Sequence, residues 1–316
     1  MATEQVTIRV TWKKATKSFS LSPTAKCGEL RTSISRWTRL SVHRISLKQG
    51  ATRLNDMRAS LGDALLIDNG EASVTVRDLG PQFSYRGVFV VEYAGPLVIM
   101  LWFASRPALV YGDGAAGGEW AWSARLGVAC WLIHFAKREL ETFFVHQFSR
   151  ATMPLANLFK NSIYYWTFAA VVGFTLCHPM YVAAADWASY GALLAWIACQ
   201  VWNFSVHVAL RRAGNAHRRA QAQATGGANN AKVRRRPPSG PLFARVSCPN
   251  YTAEVGGWLA FSVMTNTFYG YVFTAVGLAQ MAVWARKKHR AYVKQEPGYA
   301  FGPGGARRHA IVPFVL

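Results

Sequence analysis

From Gly87 onward the chain returns repeatedly to apolar runs that carry almost no charge. "GVFVVEYAGPLVIMLWFAS" holds one ionisable acid, Glu92, and a helix needs roughly 20 such residues to cross a bilayer. "EWAWSARLGVACWLIHFA" follows, interrupted by Arg125. "SIYYWTFAAVVGFTLCHPMYVAAA" and "WASYGALLAWIACQVWNFSVHVAL" come next. "VGGWLAFSVMTNTFYGYVFTAVGLAQMAVWA" is too long for one simple span. It reads either as two helices turning between Asn266 and Gly270 or as one long tilted helix. The expectation is a multispan α-helical membrane protein of about six to seven helices, occupying residues 84–316.

Charge orients these spans. Lys and Arg number 36 against 15 acidic residues, a net charge of +21. The excess is concentrated between Lys137 and Lys160, between Arg211 and Arg245, and in the tail "RKKHR" and "RRH". Basic loops face the cytosol, so both termini are expected there and the span count is even, which favours the hairpin reading. The aromatic residues sit mainly within the apolar runs, which argues against nucleic acid as a partner and for membrane lipids. Five cysteines without a C-x-x-C pair exclude a disulfide framework and a zinc site, so no metal is expected. The start "MATEQVTIRV" lacks the basic and apolar stretches of a signal peptide. Residues from about 212 to 240, rich in Ala, Gln, Gly, Asn and Arg, read as a flexible basic cytosolic loop. The sequons at Asn203 and Asn250 fall at spans on the cytosolic side and read as chance matches.

Residues 1–80 differ in character. "VTIRVTW" alternates as a strand does, and "KSFSLS" completes a hairpin. Leu30, Ile34 and Trp37 recur at helical spacing. "HRISLKQ" and the end of "SLGDALLIDNGEASVTVRDLG" supply further strands. The order ββαββ resembles the ubiquitin-like β-grasp fold, an α+β domain.

Ionisable groups inside spans are costly and point to function. Glu92 stands mid-span. Asn203 and His207 lie four residues apart on one helix face, and Arg211 extends it by a turn. This stripe suits an anionic, hydrogen-bonding ligand such as a nucleotide, or else inter-helix hydrogen bonds and a snorkelling Arg. Asn250 and Glu254 in "SCPNYTAEVGGW" repeat the spacing, with Tyr251 rotated away. As helix-start residues they also suit capping. His134, Arg138 and Glu141 share another face, compatible with an interfacial amphipathic helix. No G-x-G-x-x-G, P-loop, G-x-S-x-G or histidine-rich di-iron pattern is present.

"FVHQFSRATMPLANLFKNSIYYW", "HPMY", "NFSVHVALR", "SCPNYTAEVGGW", "WARKKHRAY" and the ending "AIVPFVL" together resemble the very-long-chain trans-2-enoyl-CoA reductases of the steroid 5α-reductase family. These also carry an N-terminal ubiquitin-like domain. The resemblance covers nearly the whole chain. It implies an endoplasmic-reticulum enzyme that uses NADPH to reduce the 2,3 double bond of a long-chain trans-2-enoyl-CoA, the last step of fatty-acid elongation. Further partners would be the condensing enzyme, ketoacyl reductase and dehydratase of that cycle. It implies catalytic roles for Tyr251, Glu92 and, more weakly, Lys137. Cofactor contacts would fall on Asn203, His207, Arg211, Asn250, Glu254, His289 and Tyr292. The chain departs from the family pattern at Gln147 and Arg150, in the 212–239 loop, and in the Gly-rich tail.

Conjugate reduction delivers hydride to the β-carbon and a proton to the α-carbon, with charge building on the thioester oxygen. A Tyr remains protonated at neutral pH, and nearby cations ease its donation. Tyr251 is the expected donor with Lys137 as its tuner, while Glu92 orients the thioester or Tyr251. Two alternatives remain: a steroid or polyprenol double-bond reductase of the same fold, and a non-enzymatic membrane-tethered ubiquitin-like adaptor.

Overall fold

The computed structural model describes residues 5–54, 56–148, 150–225 and 236–312. It divides into two compact units, Met1–Tyr85 with Arg150–Phe159, and Arg86–Ser149 with Lys160–Leu316.

In the first unit, strands β1 (Val6–Trp12) and β2 (Ala15–Leu21) form the expected antiparallel hairpin, with Val6 opposite Leu21. Helix α1 (Cys27–Thr38) follows, then β3 (Ile45–Gln49), β4 (Thr52–Leu54), the single turn α2 (Leu61–Ala64) and β5 (Glu71–Asp78). The sheet order is β2-β1-β5-β3-β4, and β1 and β5 run parallel. Alternation dictates the core. Val6, Ile8 and Val10 point inward from β1 to meet Leu30 and Ile34 of α1 and Val74 of β5, all buried. The ββαββ order is present. The additional β4 has three residues, too few for an alternating pattern to register. A small ribbon pairs β6 (Gln82–Ser84) with β7 (Thr152–Pro154), so residues 150–159 belong to this unit although the sequence reading ended it at residue 80.

The second unit is helical: α3 (Tyr85–Ala104) after its first residue, the short α4 (Ala108–Tyr111), α5 (Trp122–Phe144), α6 (Leu155–Leu176) from Lys160 on, α7 (Asp186–Thr225), α8 (Pro249–Thr265) and α9 (Phe268–Gln295). Three of these helices, α3, α7 and α9, are long and apolar enough to cross a membrane. Helices α5 and α6 reach 23 and 22 residues but carry more polar groups, and α8 has only 17. The long C-terminal apolar run resolves into the hairpin. Asn266 adopts φ 48°, the left-handed conformation that stops α8, and α9 begins two residues later.

One expectation is corrected. Residues 212–225, read as flexible loop, continue α7 as helix. Their Ala, Gln and Arg residues are good helix formers, the helix runs on through the single Gly214, and the next helix breaker is Gly226. Residues 226–235 lie outside the described residues, as do 313–316 of the ending "AIVPFVL".

The core of this unit is aromatic. Trp131 and Phe135 of α5 pack on Trp258 and Phe261 of α8 and Phe273 of α9. Helices α7 and α8 lie close along their lengths, and the Gly-Gly of "EVGGW" allows this. A Cβ at Gly256 would stand 2.9 Å from Cys199 Sγ, and one at Gly257 3.1 Å from Gln200 Nε2. Small residues let backbones approach, so that hydrogen bonds can cross between helices.

Candidate active site

That close approach assembles a polar network in the helical unit. Asn203 of α7 donates from Nδ2 to Glu254 Oε2 (3.1 Å) and to the Asn250 carbonyl (3.0 Å). Its Oδ1 accepts from Lys137 Nζ of α5 at 2.7 Å. Glu254 also receives the Trp258 indole N–H (3.3 Å), and His134 Nε2 stands 3.2 Å from Glu254 Oε1. His134 Nδ1 is 3.2 Å from Gln200 Oε1. The Asn203–Glu254 link thus joins three helices.

A second cluster continues from it along α5. Glu141 is 1% exposed and takes Arg138 Nη1 at 2.7 Å and Lys137 Nζ at 3.3 Å. His207 Nδ1 stands 3.1 Å from Glu141 Oε2, and His146 Nε2 is 3.9 Å from it. Burial beside Arg138 and His207 pushes His146 down to about 3, so its ring is neutral. The second guanidinium arm of Arg138 donates to Tyr93 Oη at 2.9 Å. Next to Tyr93, Glu92 is 2% exposed and accepts from Asn161 Nδ2 of α6 at 2.8 Å.

Glu141, His146 and His207 present donor atoms within 4.8 Å of one another, and their types would suit zinc. The carboxylate, however, is already held by two cations. A divalent ion would have to displace Arg138 and sit beside Lys137, so the cluster is read as an ion-pair network.

Tyr251 sits at the edge of this assembly, near the start of α8, where Pro249 occupies the first turn. Its phenol oxygen accepts from Lys288 Nζ of α9 at 2.9 Å, and the ammonium also lies 4.7 Å from the ring centroid. Among the described residues the phenol proton has no acceptor. The C-terminal strand of chain closes over this end. Cys248 N donates to Ala310 O, Ser247 N donates to His309 O, and the Thr252 hydroxyl donates to Ile311 O.

Sequence-predicted residues therefore separate into groups. Lys137, Asn203, His207 and Glu254 come together, with Asn250 joined through its carbonyl. Glu92 lies in the neighbouring Tyr93–Arg138 region. Tyr251 is paired with Lys288 and not with Lys137, which is drawn to Asn203 and Glu141 instead. Arg211 is exposed on α7. His289 bonds Ser247 Oγ (2.7 Å), and Tyr292 packs edge-on to Tyr299, so both face the C-terminal tail. The capping alternative for Asn250 and Glu254 is corrected. The N-cap of α8 is Cys248, without a side-chain bond. The interfacial-helix alternative for His134, Arg138 and Glu141 is corrected too, since they turn into the bundle. Sequence reasoning missed Gln200, Asn161 and Lys288. Only Lys288 left a signal, lying one residue before His289 in "KKHRAY".

A cavity of about 280 Å³ opens at the far end of α8, lined by Phe174, His178, Tyr181, Asn266 and Phe268. It holds none of the predicted residues. The buried polar network, whose ionisable groups are costly in such an interior, is the candidate site.

Comparison with known proteins agrees in kind. Residues 151–316 match the family described as 3-oxo-5-alpha-steroid 4-dehydrogenase. The very-long-chain enoyl-CoA reductase of Dictyostelium discoideum is 37% identical over 96% of both chains. The "Probable very-long-chain enoyl-CoA reductase" of Caenorhabditis elegans is 40% identical over 79% of this chain and 78% of its own. The human trans-2,3-enoyl-CoA reductase-like protein is 34% identical over 76% of this chain and 63% of its own.

Proposed function

The chain belongs to the 3-oxo-5-alpha-steroid 4-dehydrogenase family, and we propose that it reduces long-chain trans-2-enoyl-CoA to the saturated acyl-CoA with NADPH. This would be the reduction that closes a cycle of very-long-chain fatty-acid elongation. The observation that carries the reading is Tyr251: a phenol whose oxygen is held by a cation and whose proton is uncommitted, within one turn of Glu254.

The residues fit a nicotinamide nucleotide. Its carboxamide and ribose hydroxyls need both donors and acceptors, which Asn203, Glu254 and His134 supply. The Asn250 side-chain amide makes no hydrogen bond among the described residues and is available. Its phosphates need cations, and Arg211 is exposed on the same α7 stripe as Asn203 and His207. When bound, the cofactor supplies hydride to the β-carbon of the enoyl thioester. Tyr251 then gives its proton to the α-carbon as the enolate collapses. Glu92, held by Asn161, orients the acyl thioester together with Tyr93 and Arg138. The apolar acyl chain lies among the helices, while CoA and cofactor phosphates are drawn to the basic cytosolic segments.

The basic segments support an orientation with both termini cytosolic, and the elongation reading carries with it the endoplasmic-reticulum membrane. The mixed sheet of the first unit is read as a ubiquitin-like β-grasp module, a surface for other elongation enzymes. Membranes containing the protein should oxidise NADPH when given a long-chain trans-2-enoyl-CoA, and Tyr251→Phe should lose most of that activity. Activity on a 3-oxo-Δ4 steroid alone would transfer the assignment to steroid reduction. Activity on neither would leave a non-enzymatic role.

A further inference from the structure

A phenol that gives up its proton at Tyr251 needs a partner that holds its oxygen in place. Lys137, the cation the sequence pointed to, is committed to Asn203 (2.7 Å) and Glu141 (3.3 Å). The cation that reaches the phenol is Lys288, 37 residues further along the chain, brought there by the α8–α9 hairpin. Its ammonium is 2.9 Å from Tyr251 Oη and 4.7 Å from the ring centroid. No carboxylate among the described residues pairs with Lys288, so its charge is not spent in an ion pair.

The direction of the hydrogen bond matters. An ammonium has only protons to give, so the phenol oxygen must accept, which leaves the phenol O–H pointing elsewhere. When that proton leaves, the phenolate is formed directly against a positive charge. An opposite charge at hydrogen-bond distance favours the ionised form. The surroundings reinforce the pair. The titratable groups facing it are the Cys248 thiol, ahead of α8, and Tyr292 on α9. Helix α9 contributes apolar Ala285 and the tail Ala310 and Ile311, so no carboxylate competes for the ammonium.

Resting on the reading of Tyr251 as proton donor, we propose that Lys288 is the positioning residue that holds the Tyr251 phenol for the reduction. Lys288 does not itself touch the acyl-CoA. It fixes the phenol oxygen so that the free O–H is presented, and it stabilises the phenolate left after transfer, until solvent restores the proton.

The test uses the full-length protein in membranes, with kcat and KM for acyl-CoA measured for Lys288→Met, Lys288→Arg and Tyr251→Phe. Lys288→Met should lower kcat by on the order of tenfold or more, with KM for acyl-CoA near wild type. Lys288→Arg keeps a cation and should recover most of kcat. Wild-type kcat in Lys288→Met would overturn the proposal while leaving Tyr251 as donor. So would Lys288→Arg failing as badly as Lys288→Met with both variants unfolding early, since that pattern marks a packing role. Full activity in Tyr251→Phe would instead remove the donor reading on which the proposal rests.

Discussion

In the N-terminal unit the buried set is Val6, Ile8, Val10, Leu30, Ile34, Leu47 and their apolar neighbours, and the only buried polar residue there among those described is Thr38. The helical unit inverts this. It buries Glu92, Arg106, His134, Glu141, Asn203 and His207 and leaves Leu101, Ile163, Leu194 and Trp187 exposed. Water rewards a charge at the surface, so the first unit spends its interior on oil. Lipid offers a surface charge no partner, so ionisable groups in the second unit gather inside, where they satisfy one another. A buried network that lipid solvation enforces is also what a redox site for an amphipathic substrate requires. Substitutions of the same chemical kind should therefore have opposite consequences in the two units.

The largest contrast is in the carboxylates. Glu141→Leu would leave Arg138 and Lys137 buried without their counter-charge, a loss of about 3–5 kcal/mol. Thermal unfolding in detergent should show it as a large drop in midpoint or as loss of folded protein. Glu71→Leu breaks the Arg9–Glu71 pair on the first unit, whose side chains are 60% and 62% exposed, and should change little. Equal costs for the two would break the comparison.

Leucines should behave the other way round. Leu30 is fully buried in the first unit, and Leu30→Ala should cost roughly 3 kcal/mol from lost transfer energy and the cavity left behind. Leu101 on α3 is 56% exposed, and Leu101→Ala should leave stability in membranes near wild type. Limited proteolysis of the N-terminal unit, read beside unfolding of the whole protein, separates the two.

The same inversion explains what the sequence could and could not reveal. Alternation marked β1, because one of its faces, Val6, Ile8 and Val10, is buried. The break at Asn266 was readable because the apolar run overshot one membrane thickness. The i, i+4 stripes Asn203–His207 and Asn250–Glu254 were readable as stripes, but periodicity does not say which side of a helix is solvent. His134, Arg138 and Glu141 therefore suited a surface helix as well as a buried one. Pairings between distant segments left no local trace: β6 with β7, Asn161 with Glu92, and Lys288 with Tyr251. Lys137 was the expected tuner because the resemblance marked it as a catalytic candidate. The hairpin geometry that favours Lys288 exists only after α8 and α9 have folded back on each other.

A smaller effect sharpens the comparison from the lipid side. Leu194 lies within the apolar part of α7 and is 69% exposed. Leu194→Asp would set a carboxylate against hydrocarbon, at a cost of roughly 2.5–3.5 kcal/mol near the bilayer centre. It should appear as reduced membrane integration in a carbonate-extraction assay. Asp at the exposed Thr16 of β2 should be silent. If Leu194→Asp also integrates normally, that face of α7 contacts protein or water instead of lipid.

The smallest effect concerns the first unit alone, where surface charge is cheap and pH can reveal how cheap. Arg44, just ahead of β3, and Asp78, at the end of β5, form a two-pronged pair, with Nε–Oδ1 at 3.0 Å and Nη2–Oδ2 at 2.6 Å. The Arg44 guanidinium holds the Asp78 carboxyl below its ordinary range, and the Gly80 N–H adds to this. A carboxyl depressed in the folded state stabilises fully above its unfolded value, near 3.9. That contribution disappears as pH falls through the lower folded value, because protons then bind both states. Amide exchange in Ile45–Gln49 and Glu71–Asp78 should therefore be insensitive to pH around neutrality and accelerate below about pH 4, once intrinsic exchange rates are divided out. Asp78→Asn should flatten that acid dependence while leaving the neutral rates almost unchanged, as both side chains are about one-third exposed. A marked neutral-pH destabilisation by Asp78→Asn would mean that this pair behaves like the buried ones of the helical unit, and the distinction between the two units would fail at its most exposed point.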